Sequence, residues 1–240
     1  MQICGLIKTS LLDYPEHISA TIFTGGCNFQ CPFCHNKDLV LRSGELEHLS
    51  KKEVLSFLQK RKGILTGVCV SGGEPTLHHE LPDFLAEIKT LGYFVKLDTN
   101  GSNPDMLMHL MNHHLIDYIA MDIKSDLETY DLVAGLDQLH YSEEHISFIL
   151  SAITKSVNLI KNSNIPYEFR TTVVRELHKE STFQNIAHWL NGSEKYYLQN
   201  YTDNEQVISP GFTAYTKEEL LEFVKILSPY IREVSLRGIL

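Results

Sequence analysis

The chain has 240 residues, 43% of them hydrophobic and 21% charged, with a formal net charge of −9 at pH 7. This balance fits one large globular domain or two small ones and excludes a disordered chain. The acidic excess argues against nucleic acid as a main partner, because phosphate recognition needs a basic surface.

No apolar run approaches the ~20 residues that span a bilayer. The first 16 residues carry Lys8, Asp13 and Glu16, unlike the basic start and apolar run of a secretory leader. A cytoplasmic location without membrane attachment is expected. Of the five cysteines, three fall within eight residues and Cys4 and Cys69 stand alone in apolar runs. A disulfide framework would spread them more evenly, so the cluster points to metal or catalysis.

In chain order, residues 1–15 read as a short hairpin or edge strand. A first β-branched run (19–26) leads into "GGCNFQCPFCHN", with Cys27, Cys31 and Cys34 spaced C-x3-C-x2-C. A helix is predicted over 51–62. The next strand (67–74) ends in "SGGEP", where Gly72 and Gly73 allow close backbone approach to a ligand and Glu74 adds a carboxylate. After a helix over 80–91, the strand 93–101 ends in "LDTNG", with Asp98, Thr99 and Asn100. A turn with a helix cap accounts for these polar residues equally well. A helix over 104–113 precedes the strand 117–125, where period two puts Asp122 and Lys124 of "MDIK" on one side. Helix 143–163, strand 167–174 with Arg170, helix 182–190, strand 195–201 and helix 217–227 complete the pattern, and "REVSLRGIL" offers a final strand.

Strands alternating with helices imply a parallel sheet with crossover connections. Chemically able residues close nearly every strand, as they do in (β/α) barrels; a doubly wound sheet would gather them at one switch point. The expected fold is therefore α/β, a partial (β/α)6 barrel formed by one domain spanning 1–240: an N-terminal extension (1–17), the barrel (18–201) and a C-terminal helix with a possible last strand (202–240).

Thiolates suit iron–sulfur clusters or zinc. A 4Fe–4S cubane usually takes four cysteines, so three leave one iron open to a ligand. A Cys3His zinc site using His35 is the alternative, weakened by the adjacency of Cys34 and His35 and by the lack of a second ligand pair. A redox C-x-x-C pair leaves Cys27 unexplained.

The cysteine loop, with Phe33 before the last cysteine, resembles that of radical S-adenosylmethionine (SAM) enzymes, and "SGGEP" resembles their GGE motif. That resemblance implies one 4Fe–4S cluster on Cys27, Cys31 and Cys34, with SAM on its open iron. An electron from the reduced cluster then cleaves SAM and yields a hydrogen-abstracting 5′-deoxyadenosyl radical. It further implies SAM contacts from Phe33, Asn36, Gly72, Gly73, Glu74, Asp98, Asn100 and Lys124, with Lys124 on the SAM carboxylate. "CHN", "DTNG" and "MDIK" resemble the glycyl-radical activating enzymes, such as pyruvate formate-lyase activating enzyme. They imply a possible monovalent cation held by Asp98, Thr99 and Asp122. Arg170 is a possible substrate contact, a structural ion pair being the other reading. "GLIKTSLLDYP" and "AMDIKSDLETYDLVAG" are similar to the longer group of anaerobic ribonucleoside-triphosphate reductase activating proteins. The implied partners are a glycyl-radical enzyme, with that reductase foremost, and a flavodoxin or ferredoxin as electron donor. Another glycyl-radical enzyme or a small molecule is the alternative substrate, and a zinc-binding interaction module is the remote alternative function.

Overall fold

The computed structural model describes residues 1–239; residue 240, in the predicted C-terminal segment, lies outside them. The chain opens with β1 (Ile3–Ser10) and β2 (Ser19–Thr24), then α1 (Lys37–Leu41) and α2 (Lys51–Lys60). Next come β3 (Gly67–Gly72), α3 (Leu81–Thr90), β4 (Phe94–Thr99), α4 (Pro104–Asn112) and β5 (Tyr118–Asp122). Then follow α5 (Tyr130–Val133), α6 (Glu143–Lys161), β6 (Tyr167–Val173), α7 (Glu180–Trp189), β7 (Lys195–Asn200), α8 (Lys217–Leu227) and β8 (Glu233–Arg237).

The eight strands form one sheet in chain order. β1 runs antiparallel to β2, and β2 to β8 are all parallel. The predicted N-terminal edge strand is thus present, and the parallel part has seven strands instead of six because "REVSLRGIL" supplies β8. β1 and β8 are the two edges, so the barrel is partial. Short α1 and α5 had no amphipathic signal, each being little more than one turn.

The helices form where their sequences bring caps and apolar spacing. Ser50 and Glu53 make a reciprocal capping box at the start of α2, which satisfies two otherwise orphaned N–H groups. On α3, Leu81, Phe84, Leu85 and Ile88 are fully buried, the i, i+3, i+4, i+7 stripe of a helix laid on a sheet.

The strands alternate apolar and charged. On β4, Val95 and Leu97 are buried on one face while Lys96 and Asp98 occupy the other; on β6, Phe169 alternates with Glu168 and Arg170. Branched apolar side chains ordinarily fill a parallel barrel. Here charges line part of the interior, and each is paired, as burial requires. Glu168 takes a two-pronged pair from Arg237 at 2.6 and 2.9 Å and a hydrogen bond from the Tyr118 hydroxyl at 2.9 Å. No helix among the described residues is long and apolar enough to cross a membrane.

Candidate functional site

A cavity at the C-terminal ends of the strands is lined by all three clustered cysteines and by Asn36, Gly72, Gly73, Asp98, Thr99, Asn100, Asp122, Lys124 and Arg170, among others. Four motifs separated by up to 97 residues in sequence thus meet in one place, because parallel strands present all their C-terminal ends on one side.

Main-chain bonds hold the cysteine loop to the turn after β3. Gly73 N donates to Thr24 O and Glu74 N donates to Gly26 O, both at 2.8 Å. The approach is too close for a side chain: a Cβ on Gly73 would lie 1.9 Å from Gly26 O, and Gly72 has φ +120°. Asn36 Nδ2 donates to Gly72 O at 3.0 Å. From the other side, Ile208 N and Ser209 N donate to Cys34 O and Pro32 O at 3.1 and 2.8 Å.

Burial pushes the Cys31 thiol up to about 12, although Lys124 pulls the other way. The Cys27 and Cys34 thiols are raised for the same reason. Three thiols whose anions are disfavoured by burial suit a cationic iron cluster that compensates their charge. No three of the His, Cys, Asp and Glu side chains among the described residues are arranged around a single ion. A cubane does not require that arrangement, since it places each thiolate on a different iron. His35, the candidate fourth zinc ligand, has its Nε2 on Thr202 O at 2.7 Å.

Two predicted cofactor residues are absent from the cavity wall. Glu74 is fully buried. Its Oε1 accepts from Thr76 N (3.0 Å), Thr76 Oγ1 (2.5 Å) and Thr99 Oγ1 (2.8 Å), while Oε2 accepts from Asn100 N (2.6 Å). The carboxylate therefore ties the end of β4 to the turn after β3. Burial raises its pKa against these bonds. Phe33 is also buried, its ring edge-on to His178 at 6.3 Å.

Asn100 and Thr99 shape the turn after β4. Asn100 Nδ2 reaches Asn28 Oδ1 at 2.9 Å and Cys27 Sγ at 3.9 Å, and Asn100 Oδ1 accepts from Ser102 N at 2.9 Å. The cap of α4 is Asn103, not Asn100.

A chain of alternating charges runs across β4, β5 and β6, and its Asp98, Arg170, Asp122 and Lys124 line the cavity. Lys96 Nζ bonds Asp98 Oδ1; Arg170 Nη2 lies 3.2 Å from Asp98 Oδ2. Arg170 Nε bonds Asp122 Oδ1, and Lys124 Nζ donates to Asp122 Oδ2 at 2.9 Å. Burial pushes the Asp122 carboxyl up, but Arg170 and Lys124 outweigh it and hold the group well below the usual carboxylate range. Asp98 is likewise held down by Arg170 and Lys96 against burial. Arg170 thus makes two ion pairs, the structural alternative considered for it.

Several supporting residues carry no local sequence signal. Val174 N donates to His178 Nδ1 at 3.0 Å, which leaves Nε2 to donate to Lys124 O at 2.7 Å; a residue far along the chain thereby pins the lysine's main chain. Gln30 N donates to Ala134 O at 3.0 Å, so the end of α5 props the cysteine loop. Lys96 falls in an apolar run and showed only as a strand residue.

A second cavity shares Asp98 and Arg170 with the first. Its walls include Leu11, Leu12 and Asp13, from the loop after one edge strand, and Arg237 of the other edge strand. Leu11 and Leu12 are 72% and 91% exposed.

The fold is that of solved partial barrels. Streptococcus suis SuiB matches with TM-score 0.68 at 13% identity, covering 91% of this chain and 48% of SuiB. Native anSMEcpe with bound AdoMet matches with TM-score 0.58 at 17% identity, covering 86% of this chain and 58% of that one. The sequence narrows this class to a family. The Radical SAM superfamily profile matches residues 21–190, and the chain belongs to that superfamily. A Methanocaldococcus jannaschii protein named "Putative glycyl-radical enzyme activating enzyme" is 31% identical over 99% of this chain and 96% of its own length. A second protein of that organism with the same description is 25% identical over 92% and 82%. The chain is therefore a radical SAM enzyme, and membership implies a 4Fe–4S cluster and SAM.

Proposed function

We propose that the chain is an activase that installs a glycyl radical on a partner protein, with Cys27, Cys31 and Cys34 holding the cluster and the adjoining strand ends holding SAM. The observation that carries the site assignment is the single cavity in which three thiols, Cys31 buried and Cys27 and Cys34 half-buried, face Asn36, Asp98, Asn100, Asp122 and Lys124. When bound, the cluster and SAM supply one-electron reductive cleavage of a carbon–sulfur bond and the hydrogen-abstracting species that follows from it.

The chain's own residues bind, orient and shield. Gly72 and Gly73 present bare main chain to the cavity. Among the described residues the Lys124 ammonium makes one hydrogen bond, to Asp122, so its remaining protons serve the SAM carboxylate as a point charge. Asn100 orients next to Cys27, and Glu74 acts through the turns it joins instead of touching SAM. Phe33 has its ring in the core and contributes through its main chain. The Lys124→Ala enzyme is expected to keep its cluster and to bind SAM about tenfold or more weakly, measured by anaerobic calorimetry. Unchanged affinity removes Lys124 from the assignment.

A protein substrate is supported by the relatives' names and by the second cavity, which leads from between the sheet edges to the Asp98–Arg170 wall of the first. The resemblance of "GLIKTSLLDYP" and the run 120–135 favours anaerobic ribonucleoside-triphosphate reductase as the partner, with a flavodoxin or ferredoxin as donor. Electron paramagnetic resonance on anaerobic mixtures with candidate partners from the same organism tests this. A glycyl-radical doublet with that reductase supports it; a doublet only with another partner reassigns the target, and none with any partner removes the activase reading.

A further inference from the structure

The resemblance to the activating enzymes implies a monovalent cation on Asp98, Thr99 and Asp122, but these side chains are engaged otherwise. Thr99 Oγ1 donates to Glu74 and accepts from Gly101 N at 3.1 Å. The two aspartates each meet Arg170, whose Nη2 lies 3.2 Å from Asp98 Oδ2 and whose Nε bonds Asp122 Oδ1. Sheet register puts it there. Asp122 and Arg170 are direct partners between β5 and β6, and β4, with Asp98, lies on the other side of β5.

A guanidinium has the planar fork that joins two carboxylates, which an ammonium lacks. The run Lys96–Asp98–Arg170–Asp122–Lys124 holds three cations and two anions and keeps one positive charge in excess. An alkali ion between the aspartates would put a further positive charge against Arg170, a strong repulsion away from bulk water. Removing Arg170 would leave two hard carboxylates with no cation between them, the donor type that alkali and alkaline-earth ions favour.

We propose that Arg170 is the built-in cation of this site: it neutralises Asp98 and Asp122 in place of an alkali ion, so the enzyme binds SAM without one. The SAM half rests on the proposed reading of the cavity; the charge assignment does not.

Wild-type, Arg170→Gln and Arg170→Lys proteins, each cluster-loaded and checked for iron, would be compared in potassium chloride and in choline chloride of equal ionic strength. SAM affinity is read by anaerobic calorimetry, and radioactive rubidium retention by equilibrium dialysis without SAM. The wild type is expected to change less than about twofold in affinity between the salts, and Arg170→Gln to lose about tenfold in choline and recover in potassium. Rubidium should stay with Arg170→Gln in stoichiometric amount and with neither the wild type nor Arg170→Lys. A wild type that retains rubidium, or that needs potassium to bind SAM, overturns the proposal, as does an iron-loaded Arg170→Gln that retains none. If Arg170→Gln does not fold, the wild type and Arg170→Lys decide. An iron-loaded wild type that binds no SAM in either salt rejects the SAM reading, and rubidium still decides the role of Arg170.

Discussion

Cys31→Ala is expected to yield a folded protein that no longer assembles its cluster. The wild type, reconstituted anaerobically with iron and sulfide, should hold about four irons per chain, the content of one cubane. The variant should fall far below that and form no 5′-deoxyadenosine above background. The reason lies in the loop itself. Cys31 is almost fully buried between Cys27 and Cys34, and no fourth cysteine is near enough in sequence to replace it. Folding should survive, because the loop is anchored by main-chain bonds at Gly26, Gln30, Pro32 and Cys34 that do not use the thiol. Near-ultraviolet circular dichroism separates loss of cluster from loss of fold. A variant with full iron content and the wild-type spectrum would remove Cys31 from the ligand set.

The second large effect is at Gly73. An alanine there brings its Cβ within 1.9 Å of Gly26 O. That oxygen is main chain, held by Glu74 N at 2.8 Å, so no side-chain rotation relieves the clash. The turn after β3 and the start of the cysteine loop must separate. The expected cost is about 3 kcal/mol, roughly 6–12 °C in Tm for a chain of this size. Cluster loading should fall as well, since the same contact positions Cys27. Gly44 is the control: a Cβ there meets nothing within 4 Å, and Gly44→Ala should stay within about 0.5 kcal/mol of wild type. Equal melting temperatures for Gly73→Ala and wild type would contradict the close packing of the two turns.

The parts of the site that could be read from the sequence are those written in consecutive residues. The C-x3-C-x2-C spacing, the glycine pair at the end of β3 and the period-two placement of Asp122 and Lys124 need only local geometry. The strand–helix alternation implies the parallel sheet for the same reason, and "REVSLRGIL" offers β8 as a final strand. What depends on which strand lies beside which was not legible. The pairing of Asp122 with Arg170 follows from β5–β6 register, and 48 residues separate the two in sequence. His178 meets Lys124 O only after α7 is in place. The resemblance of "SGGEP" to the GGE motif implies a SAM contact from Glu74 and says nothing of its neighbours in the fold. Its side chain accepts from Thr76, Thr99 and Asn100, because the turn after β4 brings the Thr99 hydroxyl and the Asn100 N–H to it. Short α1 and α5 lack the length to show a helical period.

Radical generation at this cavity is the claim on which the rest depends. Its most direct test is product analysis of the anaerobically reconstituted, iron-loaded protein after incubation with SAM and a strong one-electron reductant. The expected result is 5′-deoxyadenosine, formed only when protein, SAM and reductant are all present. An intact cluster that yields none under those conditions contradicts the account.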